Sequence, residues 1–218
     1  ALGRGQGALD RLTLELAAGN IGLEALEGTV RSQTGSGHIT LRDIRGSLDL
    51  STGSGDLTAQ GVHGSLLNAD TGSGEILLER IDVQSLELDT GSGDLRMLEV
   101  VARSLEVDTG SGDITLVRSQ IGDAAIDTGS GDVTLNLVGP PTQLTVDTGS
   151  GAVDVRLPTG VDASIIADTG SGGINVDLPG LDLIERSRDR VVGRLGSGTG
   201  RISLDTGSGP ISIRESGE

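Results

Sequence analysis

Seven copies of Asp-Thr-Gly-Ser, beginning at Asp70, Asp89, Asp108, Asp127, Asp147, Asp168 and Asp205, carry the local signature of an aspartic protease. That chemistry needs two carboxylates facing each other across a cleft and sharing one proton. An evenly spaced column supplies no such isolated dyad, so no catalytic residue is expected from the motif. A second acidic series, Asp56, Glu75, Asp94, Asp113 and Asp132, follows the same glycines. Carboxylates stacked ~4.8 Å apart repel by roughly 1 kcal/mol per pair even at the dielectric of water, so something must offset them. Backbone N–H groups at a glycine corner could do so, as in Asx turns. Bound Ca²⁺ could also do so, with oxygen ligands from consecutive coils. Calcium is therefore the one cofactor candidate, with Asp89, Asp94, Asp108, Asp113, Asp127 and Asp132 as its candidate ligands. Calcium β-rolls use Gly-Gly-x-Gly-x-Asp at both corners of a coil. Here Gly-Ser-Gly-Asp marks one corner and lacks the residue between Gly and Asp, so solvated or turn-bonded carboxylates are the expected state.

Other chemistry-bearing residues are sparse. His38 and His63 are the only histidines, and neither has a Ser or carboxylate partner at a telling spacing. Thr40, Thr58, Thr115 and Thr134 make a partial outward column of the kind an ice-binding face uses, but Leu77, Arg96, Asp154 and Asn175 interrupt it. Glu185, Arg186, Arg188 and Arg190 cluster between residues 173 and 205, where an enzymatic site would have to sit if there were one. A solvated charged loop is the expected reading. A polysaccharide-cleaving β-helix would want aromatic platforms, and the chain has no Phe, Tyr or Trp.

What positions these residues is a repeat. Thr-Gly-Ser-Gly occurs with Thr at 34, 52, 71, 90, 109, 128, 148, 169 and 206, at intervals of 18, 19, 19, 19, 19, 20, 21 and 37 residues. A period this short and regular is the signature of a solenoid. Within one unit Leu105, Val107 and Thr109 alternate before the glycines and Ile114 and Leu116 after them, a half-buried strand pattern on each side of a turn. Each repeat is thus read as about two strands and two turns, with like side chains stacking in columns. An antiparallel meander would want hairpin turns at every connection. One invariant and one variable corner suits a parallel coil better, and the six-residue apolar beat of a hexapeptide helix is absent. Glycine serves the corner because it takes positive φ without a Cβ penalty, and stacked Thr could pass hydroxyl hydrogen bonds from coil to coil.

The expected fold is all-β: one parallel β-solenoid domain over residues 1–218, about 19 residues per coil and ten to eleven coils, a rod on the order of 50 Å long. Residues 173–205 interrupt the beat and are expected to form an enlarged coil carrying a loop or short helix, with Gly196-Ser197-Gly198 as a displaced corner. Leu12 to Ile21 stand where a degraded first coil would lie, and Pro210-Ile211-Ser212-Ile213 form a last strand. Neither terminus shows an amphipathic helix or aromatic plug. The end coils are therefore expected to be uncapped, and exposed parallel edges are templates for head-to-tail pairing.

All 16 basic residues are Arg against 32 acidic residues, a net charge of −16. That field repels nucleic acid and anionic lipid, so neither is expected as a partner. No run approaches the roughly 18 apolar residues of a membrane span, and the absence of Cys leaves the redox compartment open. The chain opens at Ala1 without Met, which fits a processed mature protein or a chain lacking its signal or anchor.

Repeated Thr-Gly-Ser-Gly-Asp-Ile units, closing with residues 191–200 (Val-Val-Gly-Arg-Leu-Gly-Ser-Gly-Thr-Gly) and 202–213 (Ile-Ser-Leu-Asp-Thr-Gly-Ser-Gly-Pro-Ile-Ser-Ile), resemble the bacterial adhesin-domain family of unknown function. The resemblance covers nearly the whole chain. It implies a right-handed parallel β-solenoid, in agreement with the bias of parallel crossovers, attached to exported or envelope-anchored proteins, and it brings no catalytic residues. Together these readings lead to the expectation of a non-enzymatic structural or adhesion-type protein of the bacterial cell envelope or exterior. Its partner would be a further copy of itself, head to tail, or a surface partner. The alternative expectation is a divalent-cation-binding module stabilised along its acidic columns.

Overall fold

The computed structural model describes residues 2–4 and 8–216. Ala1, at which the chain opens, lies outside them. No described residue is helical, and the chain is a parallel β-solenoid. Eight turns, from Leu2–Arg4 with Ala8–Leu16 to Val133–Leu137 with Gln143–Thr148, follow one another in sequence order at the roughly 19-residue beat. The expected count of about ten to eleven coils differs slightly, since the layers beyond Thr148 are assembled out of sequence order.

Three flat segments make up a regular turn where the sequence suggested two. In the strand Leu95–Thr109 the inward residues are Leu95 and Met97, then Val100 and Ala102, then Leu105, Val107 and Thr109. Alternation slips twice, at Leu98-Glu99 and at Arg103-Ser104, where two consecutive residues face outward. Each slip is a bend of the chain, so a turn has three facets.

The first bend has a fixed backbone. Ala25, Asp43, Gly61, Arg80, Glu99 and Arg118 all take left-handed φ, between 49° and 67°, and the strand registers stack them in one column. Only one of the six is Gly. The others carry the Cβ strain of that region, which costs roughly 1 kcal/mol or more per residue, because the bend must recur at every layer.

The Thr-Gly-Ser-Gly corner is set by the closeness of its neighbours. A Cβ on Gly91 would lie 2.7 Å from the Gly72 carbonyl oxygen, and one on Gly93, whose φ is 152°, would lie 2.0 Å from the Gly74 carbonyl oxygen. Both glycines are needed because corner stacks on corner. The inward Thr closes the corner: Thr52 Oγ1 donates to the Gly37 carbonyl at 3.0 Å and Thr71 Oγ1 to the Gly55 carbonyl at 3.1 Å.

Inside, the ladder Ile39, Leu57, Ile76, Leu95, Ile114, Val133, Val153 is at most 1% exposed. Burying an aliphatic side chain this fully contributes roughly 1.5–3 kcal/mol, and repetition of the column replaces the aromatic core the chain lacks.

Beyond Thr148 the chain leaves sequence order. Ala163–Thr169 does not stack on Gln143–Thr148. The later strand Gly200–Thr206 lies between them, parallel to both. Likewise Ile211–Glu215 lies between Val153–Leu157 and Ile174–Asp177. The chain skips one layer, builds the next, and returns to fill the gap with its last strands. The middle facet also ceases to be strand here: Pro140-Pro141, Pro158 and Pro179 stand where it would continue, and a residue without N–H cannot extend that ladder.

Residues 173–205 are accordingly strand throughout most of their length. The expected loop or short helix is a β-hairpin, Asp182–Arg186 against Arg190–Leu195, whose second strand pairs antiparallel with Ala163–Thr169. An apolar alternation in Val191, Gly193 and Leu195 buries one side of it. This hairpin covers one facet at one end of the stack, while among the described residues Ile174–Asp177, Leu2–Arg4 and Ala8–Leu16 each pair along a single edge. At the C-terminal end the facet that precedes the corner finishes in antiparallel strands, so it offers no parallel edge matching that of the first coil, Ala8–Leu16.

Candidate functional site

Two acidic columns flank the glycine corner, and the structure treats them differently. The post-corner column is a side-chain ladder. Asp94 Oδ1 accepts from the Asp113 N–H at 3.1 Å, Asp113 Oδ1 from the Asp132 N–H at 2.9 Å, and Asp132 Oδ1 from the Ala152 N–H at 2.7 Å. Lower in the stack Asn20 Oδ1 accepts from the His38 N–H, His38 Nδ1 from the Asp56 N–H, and Asp56 Oδ1 from the Glu75 N–H. Asp56, Asp94, Asp113 and Asp132 are thus each held by a backbone donor of the next layer, the offset expected of backbone N–H groups, whereas Glu75 interrupts the ladder and places Oε1 3.5 Å from Arg96 Nε. His38 belongs to this ladder, a role its lone position in the sequence concealed. His63 is exposed on the strand Leu57–Ser73.

This ladder ends where its chemistry ends. Ala152 has no acceptor to offer, and the residue stacked beyond it is Pro210, which has no N–H to satisfy. The two substitutions match each other across the layers, although they are 58 positions apart in sequence.

The pre-corner column runs in space through Asp70, Asp89, Asp108, Asp127, Asp147, Asp205 and Asp168. Its order differs from sequence order because of the inserted layer. Burial, with the charges of Asp70 and Asp108, raises the carboxyl of Asp89 above its ordinary value. Burial with Asp147 and Asp108 does the same to Asp127, and burial with Asp147 and Asp168 to Asp205. The column closes at Asp168, where Arg190 Nη1 bonds both carboxylate oxygens at 2.7 and 2.8 Å. Glu87 and Glu106 lie on the same facet, making it strongly acidic.

The six candidate calcium ligands fall into these two columns: Asp89, Asp108 and Asp127 before the corner, Asp94, Asp113 and Asp132 after it. Among the described residues no three His, Cys, Asp or Glu converge as a metal-binding group. The seven Asp-Thr-Gly copies stack in register, two strand neighbours at a time, and no pair stands across a cleft.

Of the charged cluster at 185–190, the structure brings together Arg190, Glu185 and Asp168. Arg190 Nε lies 3.6 Å from Glu185 Oε2 while its Nη1 holds Asp168. Arg186 and Arg188 are exposed. Asp189 accepts from Ser187 Oγ at 2.7 Å, which with its own backbone N–H holds its carboxyl below the ordinary value. These bonds shape the hairpin turn. The expected displaced corner, Gly196-Ser197-Gly198, is a turn anchored on Asp162: Ser197 Oγ donates to Asp162 Oδ2 at 2.6 Å and the Thr199 N–H to Oδ1 at 2.8 Å. Sequence reasoning missed Asp162, whose only signal was its place after the Leu-Pro-Thr-Gly break. No described helix is long and apolar enough to cross a membrane.

A family model described as Toastrack DUF4097 matches residues 45–214. Neither a curated protein nor a solved structure matches the chain.

Proposed function

The chain belongs to the Toastrack DUF4097 family, and from that premise we propose that it is a non-enzymatic structural or adhesion-type solenoid presented at the bacterial cell surface or exterior. The observation that supports this reading is the dispersal of its polar side chains into columns. The acidic residues repeat along flat facets, at strand spacing, and those of the corner spend their hydrogen bonds on holding successive layers. Such a surface acts by repetition: a rigid rod offers the same group many times to a partner, so weak contacts add through avidity. The charge of −16 selects a basic or cation-bridged partner and disfavours nucleic acid and anionic lipid.

The test uses fluorescently labelled full chain on intact bacterial cells, beside a variant with Asp70, Asp89, Asp108 and Asp127 changed to Asn. Saturable retention that weakens at least tenfold in the variant supports the reading. No retention, together with an antibody to the chain that stains only permeabilised cells, overturns it.

A second reading draws on the raised carboxyls of Asp89, Asp127 and Asp205, whose neighbours in the column supply only further negative charge. On it the column is a divalent-cation (calcium) module. An unchanged melting temperature between chelator and millimolar Ca²⁺ overturns that reading.

A further inference from the structure

The layer filled by residues 200–216 is a gap in an otherwise finished stack. Its lower wall, Gln143–Thr148 with Val153–Leu157, and its upper wall, Ala163–Thr169 with Ile174–Asp177, are built from earlier sequence. The segment that enters it follows the strand Arg190–Leu195 through the turn 196–199. Once seated it is bonded on both edges: the Gly207 N–H donates to the Thr148 carbonyl and the Gly170 N–H to the Thr206 carbonyl, each at 2.9 Å. On the other facet the Val153 N–H donates to the Pro210 carbonyl at 3.0 Å and the Ile211 N–H to the Gly173 carbonyl at 3.0 Å. Ile202, Leu204, Ile211 and Ile213 complete the apolar ladders, and Arg214 reaches Asp154 of the lower wall.

We infer that this layer is a strand-acceptor slot, and that its alternative occupant is the same C-terminal segment of a second copy of this chain. Every interaction that seats the segment is made by residues 200–216 with the walls, and none depends on which molecule the segment comes from. What keeps it at home is the connection. Leu195 and Gly200 both lie opposite Ala163, one on each edge of its strand, so the turn must span two strand spacings, about 9.6 Å. Four residues cover that distance, and Asp162 pins them through Ser197 and Thr199. A hinge of this kind, next to a segment that fits a preformed slot, is what strand exchange between copies requires. The exchange joins copies by reciprocal donation and needs none of the exposed end edges. It is independent of the cell-surface reading above.

Deleting Ser197, Gly198 and Thr199 leaves one residue between Leu195 and Gly200, a reach of at most about 7.6 Å between their Cα atoms. The segment then cannot enter its own slot. The expected result is a folded species of twice the 22.0 kDa chain mass, or a higher multiple, by light scattering. A folded monomer with unchanged melting overturns the inference. Should the deletion fail to fold, two otherwise full-length chains decide the matter, one with Asp154→Arg and one with Arg214→Asp. Each sets like charges across its own slot, and only exchange between them restores both pairs. Refolded together, they are expected to give a one-to-one pair of doubled mass by native mass spectrometry. Two unmixed monomers overturn the inference.

Discussion

Arg190 closes the aspartate column by gripping both oxygens of Asp168, 22 residues earlier in sequence and directly opposite it in the antiparallel pair. The contact joins the first strand of the last regular corner to the hairpin that covers it. It is therefore both the end of a line of like charges and the tether of the cap. A charge-assisted hydrogen bond of this kind is stronger than a neutral one, and partial exposure limits its contribution to about 1 kcal/mol.

Arg190→Ala should consequently loosen the hairpin more than the rod. Amide exchange in residues 182–195 is expected to accelerate about fivefold, while residues 76–128 keep their protection. Uniform acceleration across the chain would show that the pair supports the whole stack.

Asp89, Asp127 and Asp205 should make the fold more stable in mild acid than the sum of its carboxylates suggests. Their folded values stand above the unfolded one, so the folded state holds these protons more tightly. Their contribution is fully favourable below the ordinary carboxylate value of 3.8 and is lost as pH rises through the raised values. Asp162 and Asp189 act in the opposite sense. Their lowered values give stability present above 3.8 and lost as pH falls. Asp127→Asn should therefore raise the melting temperature at pH 7 by a few degrees, with the gain vanishing towards pH 3. A gain that persisted at pH 3 would assign the effect to something other than charge.

The left-handed bend predicts a paired outcome at neighbouring layers. Arg80→Gly relieves the strain of φ 54° and should stabilise the fold by about 0.5 kcal/mol after the added chain entropy of Gly is counted. Gly61→Ala introduces that strain and brings Cβ within 2.7 Å of Asp43 Oδ1, and should cost about 1 kcal/mol. Urea titration of both variants measures the difference, and equal signs would refute the account.

Periodic columns were legible from sequence because every layer repeats the same bond. The Thr-Gly-Ser-Gly beat identified the corner, and the alternation of Leu105 and Val107 identified the inner face. The inserted layer was not legible, since Asp-Thr-Gly-Ser at 205 fits any position in the column equally well. Sequence order and stack order then differ without any local sign. Arg190 fell in a charged run that looks solvated until the antiparallel strand places it opposite Asp168. Pro210 was visible, but its match to Ala152 exists only once the last strand is seated above Val153.

The buried threonines give the most discriminating test of the corner. Thr34, Thr52, Thr71, Thr148, Thr169 and Thr206 each donate Oγ1–H to a glycine carbonyl of the layer stacked below or above, at 2.9 to 3.3 Å. Thr90, Thr109 and Thr128, in the middle of the stack, are as deeply buried and have no hydrogen-bond partner. A buried hydroxyl without a partner carries a desolvation cost of about 1–3 kcal/mol, whereas a satisfied one contributes about 1 kcal/mol net. Valine keeps the shape and removes the hydroxyl. Thr109→Val should thus stabilise the protein by about 1 kcal/mol, and Thr52→Val should destabilise it by a similar amount. Thermal melts of the two variants separate them in opposite directions. A loss in both would mean that the mid-stack threonines also bond the glycine carbonyl opposite them, and that the corner hydrogen bond runs unbroken from the first coil to the last.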